Sequence, residues 1–288
     1  MLTEDQVASY RTEGYLVVPD IFTPGEIAEL NTVTDTFVEA SRALTQSDAV
    51  FDIGPGHAHA DPKLRRIKDP THHHAAYDKA MRHPKLIAIL QQLLGDAVRF
   101  DHAKLNIKPV GGGAEIDWHQ DWAFYPHTND DMLAVGVLLD DVGPRSGPLQ
   151  VVPGSHKGPT LNHHSNAIFC GAIDDAEAEP IAGTAVPLMG KAGSITIHHV
   201  RMVHGSEPNT SETARRLLLF SYAAVDAWPL LPKEGIDAFN ERILTGAPTL
   251  SPRQVAVPVR IPLPKVETDG SIFDNQAHKQ RSTAAMPA

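Results

Sequence analysis

The sequence predicts a mainly β fold, a sandwich or barrel, with helices scaffolding one face, and three observations carry that prediction. Beyond Gly95 the chain breaks into short runs of β-branched and apolar residues separated by Gly, Pro, Asn and Asp clusters, the texture of antiparallel strands joined by turns. Before Gly95 the apolar residues fall at helical spacing between recognisable caps. Neither an internal repeat nor a low-complexity linker interrupts the 288 residues, so one domain over 1–288 is expected, with a helical scaffold over about 1–95 and a β core over about 96–226.

The elements follow in order. Thr3 and Gln6 form a capping-box pair ahead of Val7 and Tyr10, and Gly14 closes that helix before a brief strand, Tyr-Leu-Val-Val. Thr23 as N-cap, Pro24 at the first helical position and Glu26 at the third announce a second helix, whose buried stripe is Ile27, Leu30, Val33, Phe37 and Leu44. Residues 47–71 lack a period and read as a long loop with one strand at 64–68. A third helix starts at His83-Pro84 and ends at Gly95. Strands are expected at 98–108, 132–140, 149–152, 194–200 and 215–225, and a helix around 233–244. Several of these strands lack strict alternation, as strands buried on both faces do.

Composition narrows the function. Hydrophobic residues make up 42% and charged residues 21%, near the average of folded domains and far from disordered or coiled-coil chains. Lys and Arg number 25 against 35 Asp and Glu, a net charge of −10 that offers no surface to neutralise phosphate, so neither nucleic acid nor membrane is an expected partner. The single cysteine, Cys170, cannot form an intramolecular disulfide and reads as a small buried hydrophobe. No apolar run reaches the ~18 residues of a membrane span, and the start Met-Leu-Thr-Glu-Asp is acidic where a targeting peptide is basic. The final Ala-Ala-Met-Pro-Ala is not a peroxisomal address, and a cytoplasmic location is expected.

The chemistry concentrates at Trp118-His119-Gln120-Asp121-Trp122, after the loop Gly111-Gly112-Gly113. In an extended segment residues two apart share a side, so the His119 imidazole and the Asp121 carboxylate converge on one point. His204, after the strand at 194–200, supplies a third donor. Two histidines and one carboxylate on one face of an ion form the facial triad of non-haem Fe(II) oxygenases, which leaves positions open for co-substrate and oxygen. The same ligands suit Zn²⁺, so a zinc hydrolase or isomerase is the rival reading. Arg215 separates the two, because its guanidinium fork at the start of a strand is placed to hold the far end of a dicarboxylate, which a zinc hydrolase does not need.

The ordered set His119-x-Asp121, Pro153-Gly-Ser-His-Lys-Gly158, His204-Gly-Ser206 and Arg215, with Leu105-Asn-Ile-Lys-Pro109 and Leu64-Arg-Arg-Ile-Lys-Asp69, resembles the phytanoyl-CoA dioxygenase family of Fe(II)/2-oxoglutarate-dependent oxygenases. The resemblance runs from about Val7 to about Ala224. It implies a double-stranded β-helix, or jelly roll, for the core. It implies that His119, Asp121 and His204 hold Fe(II), and that Arg215, with the Ser206 hydroxyl, holds the C5 carboxylate of 2-oxoglutarate. Arg66, Lys68 and Asn106 are the candidates for the C1 carboxylate. A carboxylate at 121, where related halogenases have a small residue, implies oxidation of a C–H bond in a small organic molecule, with molecular oxygen consumed and succinate and CO2 released. For the tail beyond about Asp226 the family supplies no functional motif.

Other residues are weighed against plainer roles. Trp118, Trp122, Phe124 and Tyr125 surround the triad and either wall a substrate pocket or fill the core. The pairs His163-His164 and His198-His199, and His72-His-His74, read as exposed or hydrogen-bonded histidines rather than further metal sites. Gln120 and His156 read as structural, and Arg216 as a salt-bridge partner. Oligomeric state and substrate identity are not encoded in these patterns.

Overall fold

Thr3 and Thr23 each accept a hydrogen bond from the backbone N–H three residues on, and Gln6 and Glu26 reach back to the cap, so α1 (Glu4–Glu13) and α2 (Pro24–Ser41) begin where the sequence places them. The computed structural model describes residues 1–110, 115–166, 168–231, 235–260 and 272–279. The glycine loop at 111–113 and the tail segments 232–234, 261–271 and 280–288 lie outside the described residues. Three more helices complete the N-terminal scaffold: α3 (Pro70–His73), α4 (Ala75–Met81) and α5 (Pro84–Leu94). The short α3 and α4 were not expected, since segments of four and seven residues are too brief to display a 3.6-residue period.

The strands are β1 (Tyr15–Val18), β2 (Phe51–Ile53), β3 (Leu64–Lys68), β4 (Val98–Lys108), β5 (Ile116–His119), β6 (Met132–Leu138) and β7 (Leu149–Val151). They continue as β8 (His164–Ser165), β9 (Ile168–Phe169), β10 (Val186–Leu188), β11 (Ile195–His199), β12 (His204–Ser206), β13 (Arg215–Ala224) and β14 (Ile243–Thr245). A major sheet runs β1-β11-β6-β13-β4-β3-β2, with β14 on the end of β4, and a minor sheet runs β10-β7-β12-β5. Every pairing is antiparallel, and the two sheets form the jelly roll. The expected loop at 47–71 is in part a hairpin, because β2 pairs with β3 at the sheet edge. The expected helix at 233–244 is the shorter α7 (Ile236–Glu241), which hands directly to β14. Two further helices, α6 (Asp175–Ala182) and α8 (Ile272–Gln276), carried no sequence signal that we read.

The outer face of the major sheet meets the helices. Leu86, Ile89 and Leu90 of α5 are fully buried, against a sheet whose Leu105, Val137, Ile197, Leu218 and Phe220 are buried as well. This explains the near-continuous apolar runs of β6 and β13, since one face is covered by helices and the other closes over the space between the sheets. Each such side chain contributes about 1.5–3 kcal/mol of burial free energy. Gly136 on β6 is required by packing: a Cβ there would lie 2.6 Å from Thr196 Oγ1. Among the described residues no helix is long and apolar enough to cross a membrane.

Leu218 sits at the centre of this layer, between β4 and β6. We expect Leu218→Ala to lower unfolding free energy by about 2–5 kcal/mol in denaturant titration while leaving metal affinity within twofold, because its side chain belongs to the core and not to the site. A stability unchanged within error would show that the layer is not packed as described.

Candidate metal centre and its cavities

His119 ends β5, His204 opens β12, and the two residues are direct cross-strand partners in the minor sheet. Gln120 keeps the chain extended for one more residue, and Asp121 then begins a 3₁₀ turn, so the carboxylate arrives beside the two rings. One ligand atom from each of the three lies within 4.8 Å of the others, with all three side chains buried. The rings of His119 and His204 sit 4.0 Å apart between centroids. Each ring is oriented through Nδ1, which pairs with a backbone carbonyl: Asp117 O at 2.8 Å for His119 and Met202 O at 2.9 Å for His204. With Nδ1 donating, Nε2 is left as the lone-pair donor, the arrangement that fixes metal-binding tautomers.

The protonation states suit a cation. Burial pushes the His119 imidazole down to about 4, against the opposing pull of Asp121, and pushes His204 well below its ordinary value. Burial alone would raise the Asp121 carboxyl, but Lys104, His198, His204 and His119 hold it well below the usual carboxylate range. At neutral pH the three therefore offer two neutral imidazoles and one carboxylate with no proton to displace.

A small inner cavity of about 30 Å³ holds the triad together with Arg66, Lys104, Asn106, His198, Ser206 and Arg215. Arg215, the first residue of β13, donates Nη2 to Gly147 O at 2.6 Å, while its buried Nε has no partner. Gly147 must be glycine: its φ is +63°, and a Cβ would lie 2.5 Å from Glu207 O. The buried Ser206 hydroxyl likewise has no partner. Arg66 and Asn106 are cross-strand partners on β3 and β4, joined by Arg66 Nε to Asn106 Oδ1 at 3.0 Å, and Arg66 Nη2 is buried without a partner. Three unsatisfied donors, on two arginines and a serine, surround a space beside the triad, the donor set for a dicarboxylate that also reaches a metal. Below them Lys108 donates to the carbonyls of Ser206 and Glu207, and burial next to Arg215 brings its ammonium down to about 6.

An outer cavity of about 300 Å³ shares Arg66, Lys104, Asp121 and Ile272 with the inner one and adds Lys68, Asp69, His102, Ala103, Phe124 and Tyr125. Among the sequence-predicted residues, Tyr125 lines this cavity. Lys68 also lines it, but not the inner cavity, and its ammonium donates to Asp48 O at 2.8 Å.

Two expectations are corrected. Trp118 alternates away from His119 on β5 and packs with Val152, Ile173 and Val203, and Trp122 is fully buried with Met132 and Val200, its indole donating to Pro258 O at 2.8 Å. Both belong to the core and neither lines the inner or the outer cavity. His198 is not exposed, being 1% accessible, and is placed against the triad, with Nε2 3.6 Å from Asp121 Oδ2. Lys104, 3.9 Å from Asp121 Oδ1, was also missed. Period-two alternation from Asn106 along β4 is the signal that would have found it. The tail contributes too, because Ile272 of α8 lines both cavities and the Phe273 ring lies 5.2 Å from the Arg66 guanidinium. The other readings stand structurally: Gln120 bonds Arg201 O and Leu161 N, Arg216 pairs with Asp140 and Asp35, and His156 reaches Arg11 O.

A jelly roll whose two sheets enclose a His-Asp-His cluster beside unsatisfied arginine donors defines the class of non-haem Fe(II)/2-oxoglutarate-dependent dioxygenases. Within it, the sequence profile of the phytanoyl-CoA dioxygenase (PhyH) family matches residues 10–217, and the chain belongs to that family. The chain is 34% identical over 278 residues to a probable alpha-ketoglutarate-dependent hypophosphite dioxygenase of Stutzerimonas stutzeri, covering 94% of this chain and 96% of that one. It is 28% identical over 261 residues to an ectoine dioxygenase of Bordetella bronchiseptica, covering 85% and 82% of the two chains. Among solved structures, EctD from S. alaskensis with bound Fe superposes with a TM-score of 0.67 at 25% identity, covering 90% of this chain and 88% of that chain.

His198 faces the Asp121 oxygen that lies near His204, so its loss is expected to loosen the carboxylate. We expect His198→Phe to weaken Co(II) binding by about 10–100-fold in a spectroscopic titration of the metal-free protein, with His198→Gln recovering part of the loss. Equal Co(II) affinity in His198→Phe and the parent would show that the ring plays no part in holding Asp121.

Proposed function

We propose that His119, Asp121 and His204 hold Fe(II), that Arg215 and Ser206 hold the C5 carboxylate of 2-oxoglutarate, and that residues 1–288 form one dioxygenase unit acting on a C–H bond of a small substrate in the outer cavity. The observation that carries this reading is the trio of buried, unsatisfied donors on Arg66, Ser206 and Arg215 next to a metal-ready triad. A zinc hydrolase has no use for them, and a buried N–H or O–H left unpaired costs free energy that a bound anion would restore. Asn106 and Arg66 line the inner cavity, which supports assigning them to the C1 end, whereas Lys68 lies outside it.

When bound there, Fe(II) and 2-oxoglutarate supply oxidation by molecular oxygen, with 2-oxoglutarate converted to succinate and CO2. This chain's own contribution is positional. The Nδ1 bonds of His119 and His204 fix the ligand geometry, and the Arg215–Gly147 bond aims the guanidinium. Phe124, Tyr125 and Ile272 wall the outer cavity so that a substrate excludes water. A cavity of about 300 Å³ sits at the bottom of the usual ligand-pocket range of about 300–1,000 Å³, which favours a compact molecule over a long acyl chain. The acidic composition is in keeping with a cytoplasmic enzyme that binds neither nucleic acid nor membrane.

The test is anaerobic addition of Fe(II) and then 2-oxoglutarate to metal-free protein, followed by the visible metal-to-ligand charge-transfer band of the chelated keto acid. The band is expected in the parent and absent in His204→Ala. In Arg215→Ala it should appear only at higher 2-oxoglutarate, by about 1.5–3 kcal/mol in binding free energy for one lost charged pair. Tight zinc binding with no band would support the hydrolase instead.

A further inference from the structure

We propose that Ile272 is a specificity-determining residue at the passage between the two cavities and that α8 holds it there, so that the C-terminal tail decides what size of molecule approaches the metal; this rests on the dioxygenase reading and adds a selection step to that site.

Four residues line both cavities: Arg66, Lys104, Asp121 and Ile272. A group shared in this way stands where one space opens into the other, so a ligand in the outer cavity that extends to the triad passes it. The first three are charged and meet polar neighbours: Lys104 lies 3.9 Å from Asp121 Oδ1, and Arg66 donates to Asn106. Ile272 is apolar and buried, so its effect on a ligand is one of shape. A β-branched side chain in a helix is confined largely to one χ1 rotamer, which gives the passage a fixed edge at this residue.

Five residues are too few to keep a helix folded by themselves, so α8 is held by its neighbours. On one side it meets β3 of the major sheet. Arg65 donates Nη2 to Asp274 at 3.0 Å and Nε to Asp52 at 2.6 Å, and the Phe273 ring lies 4.5 Å from the Arg65 guanidinium and 5.2 Å from that of Arg66. On the other side it meets β5 of the minor sheet, where the Gln276 amide accepts from Asp117 N at 3.1 Å and donates to Asp117 O at 3.3 Å. Lys279, just after the helix, pairs with Asp117 at 3.4 Å and with Asp175 at 2.6 Å. Gly171 lets this layer close on the cavity wall, because a Cβ there would lie 2.5 Å from the Phe124 ring and 3.6 Å from Asn275 Cβ. The helix thus links the two sheets beside the cavities, and Ile272 is placed by these ties rather than by a strand register.

Protein loaded anaerobically with Fe(II) and 2-oxoglutarate tests this, with imidazole and 4-phenylimidazole as compact and bulky probes that carry the same donor nitrogen. The affinity of each probe is read from its perturbation of the charge-transfer band. The parent is expected to favour imidazole, and Ile272→Ala to shift the ratio of affinities toward 4-phenylimidazole by about tenfold or more, with Ile272→Val in between. The sign separates an edge from a plain contact, because removing a wall that merely touched the larger probe would weaken its binding through lost burial. Asp274→Ala combined with Lys279→Ala cuts one ion pair to each sheet at residues that line neither cavity, and should move the ratio in the same direction. A ratio unchanged in Ile272→Ala or shifted toward imidazole, or a band that neither probe perturbs in any of these proteins, overturns the assignment, and so does a double variant that leaves the ratio unchanged. No band in the parent overturns the dioxygenase reading and the selection step with it.

Discussion

The antiparallel pairing of β5 with β12 sets His119 opposite His204, and the remainder of the site is arranged around that pair. Cross-strand neighbours are held a few ångströms apart by the ladder itself, so the two imidazoles are brought together by backbone hydrogen bonds and not by side-chain attraction. Asp121 joins them because the chain stays extended for one residue and then turns. A one-residue slip in this register would turn one ring to the opposite face of the sheet, where Trp118 now packs in the core. The hydrophobic cluster of Trp118 with Val152, Ile173 and Val203 therefore holds the register that sets His119 opposite His204.

Around this pair the molecule concentrates buried polar side chains, and Arg66 Nη2, Arg215 Nε and the Ser206 hydroxyl are each left without a hydrogen-bond partner. Lys104 and Asn106 of β4, Arg66 of β3, Arg215 of β13 and His198 of β11 all come from the major sheet and line the cavity beside the triad. Leaving such groups unsatisfied destabilises a fold by about 1–3 kcal/mol each. The large apolar layer between sheet and helices offsets that cost, and bound ligands recover it. The minor sheet presents His119, His204 and Ser206, the major sheet presents Arg66, Asn106 and Arg215, and the cavity is the gap between them.

Much of this was legible in the sequence. The capping boxes at Thr3 and Thr23 and the strand at 98–108 followed from local chemistry, which is why their boundaries coincide with the structure. His119, Asp121, His204, Ser206 and Arg215 were legible from spacing and family resemblance, and the structure brings them around one cavity. What was hidden depended on tertiary contacts. Lys104 and His198 look like ordinary strand residues until the register shows which face they occupy, and Trp118 and Trp122 look like pocket walls until the same register turns them into the core. Ile272 is the extreme case: it reaches both cavities from far along the chain, where no local pattern connects it to the triad.

Iron-edge anomalous diffraction from crystals prepared anaerobically with Fe(II) tests the central claim most directly. The account predicts a single peak bounded by His119 Nε2, a carboxylate oxygen of Asp121 and His204 Nε2, with the side toward Arg66 and Arg215 free of protein ligands. A peak coordinated by His198 as a fourth protein ligand, or one located away from the β5–β12 pair, would contradict it.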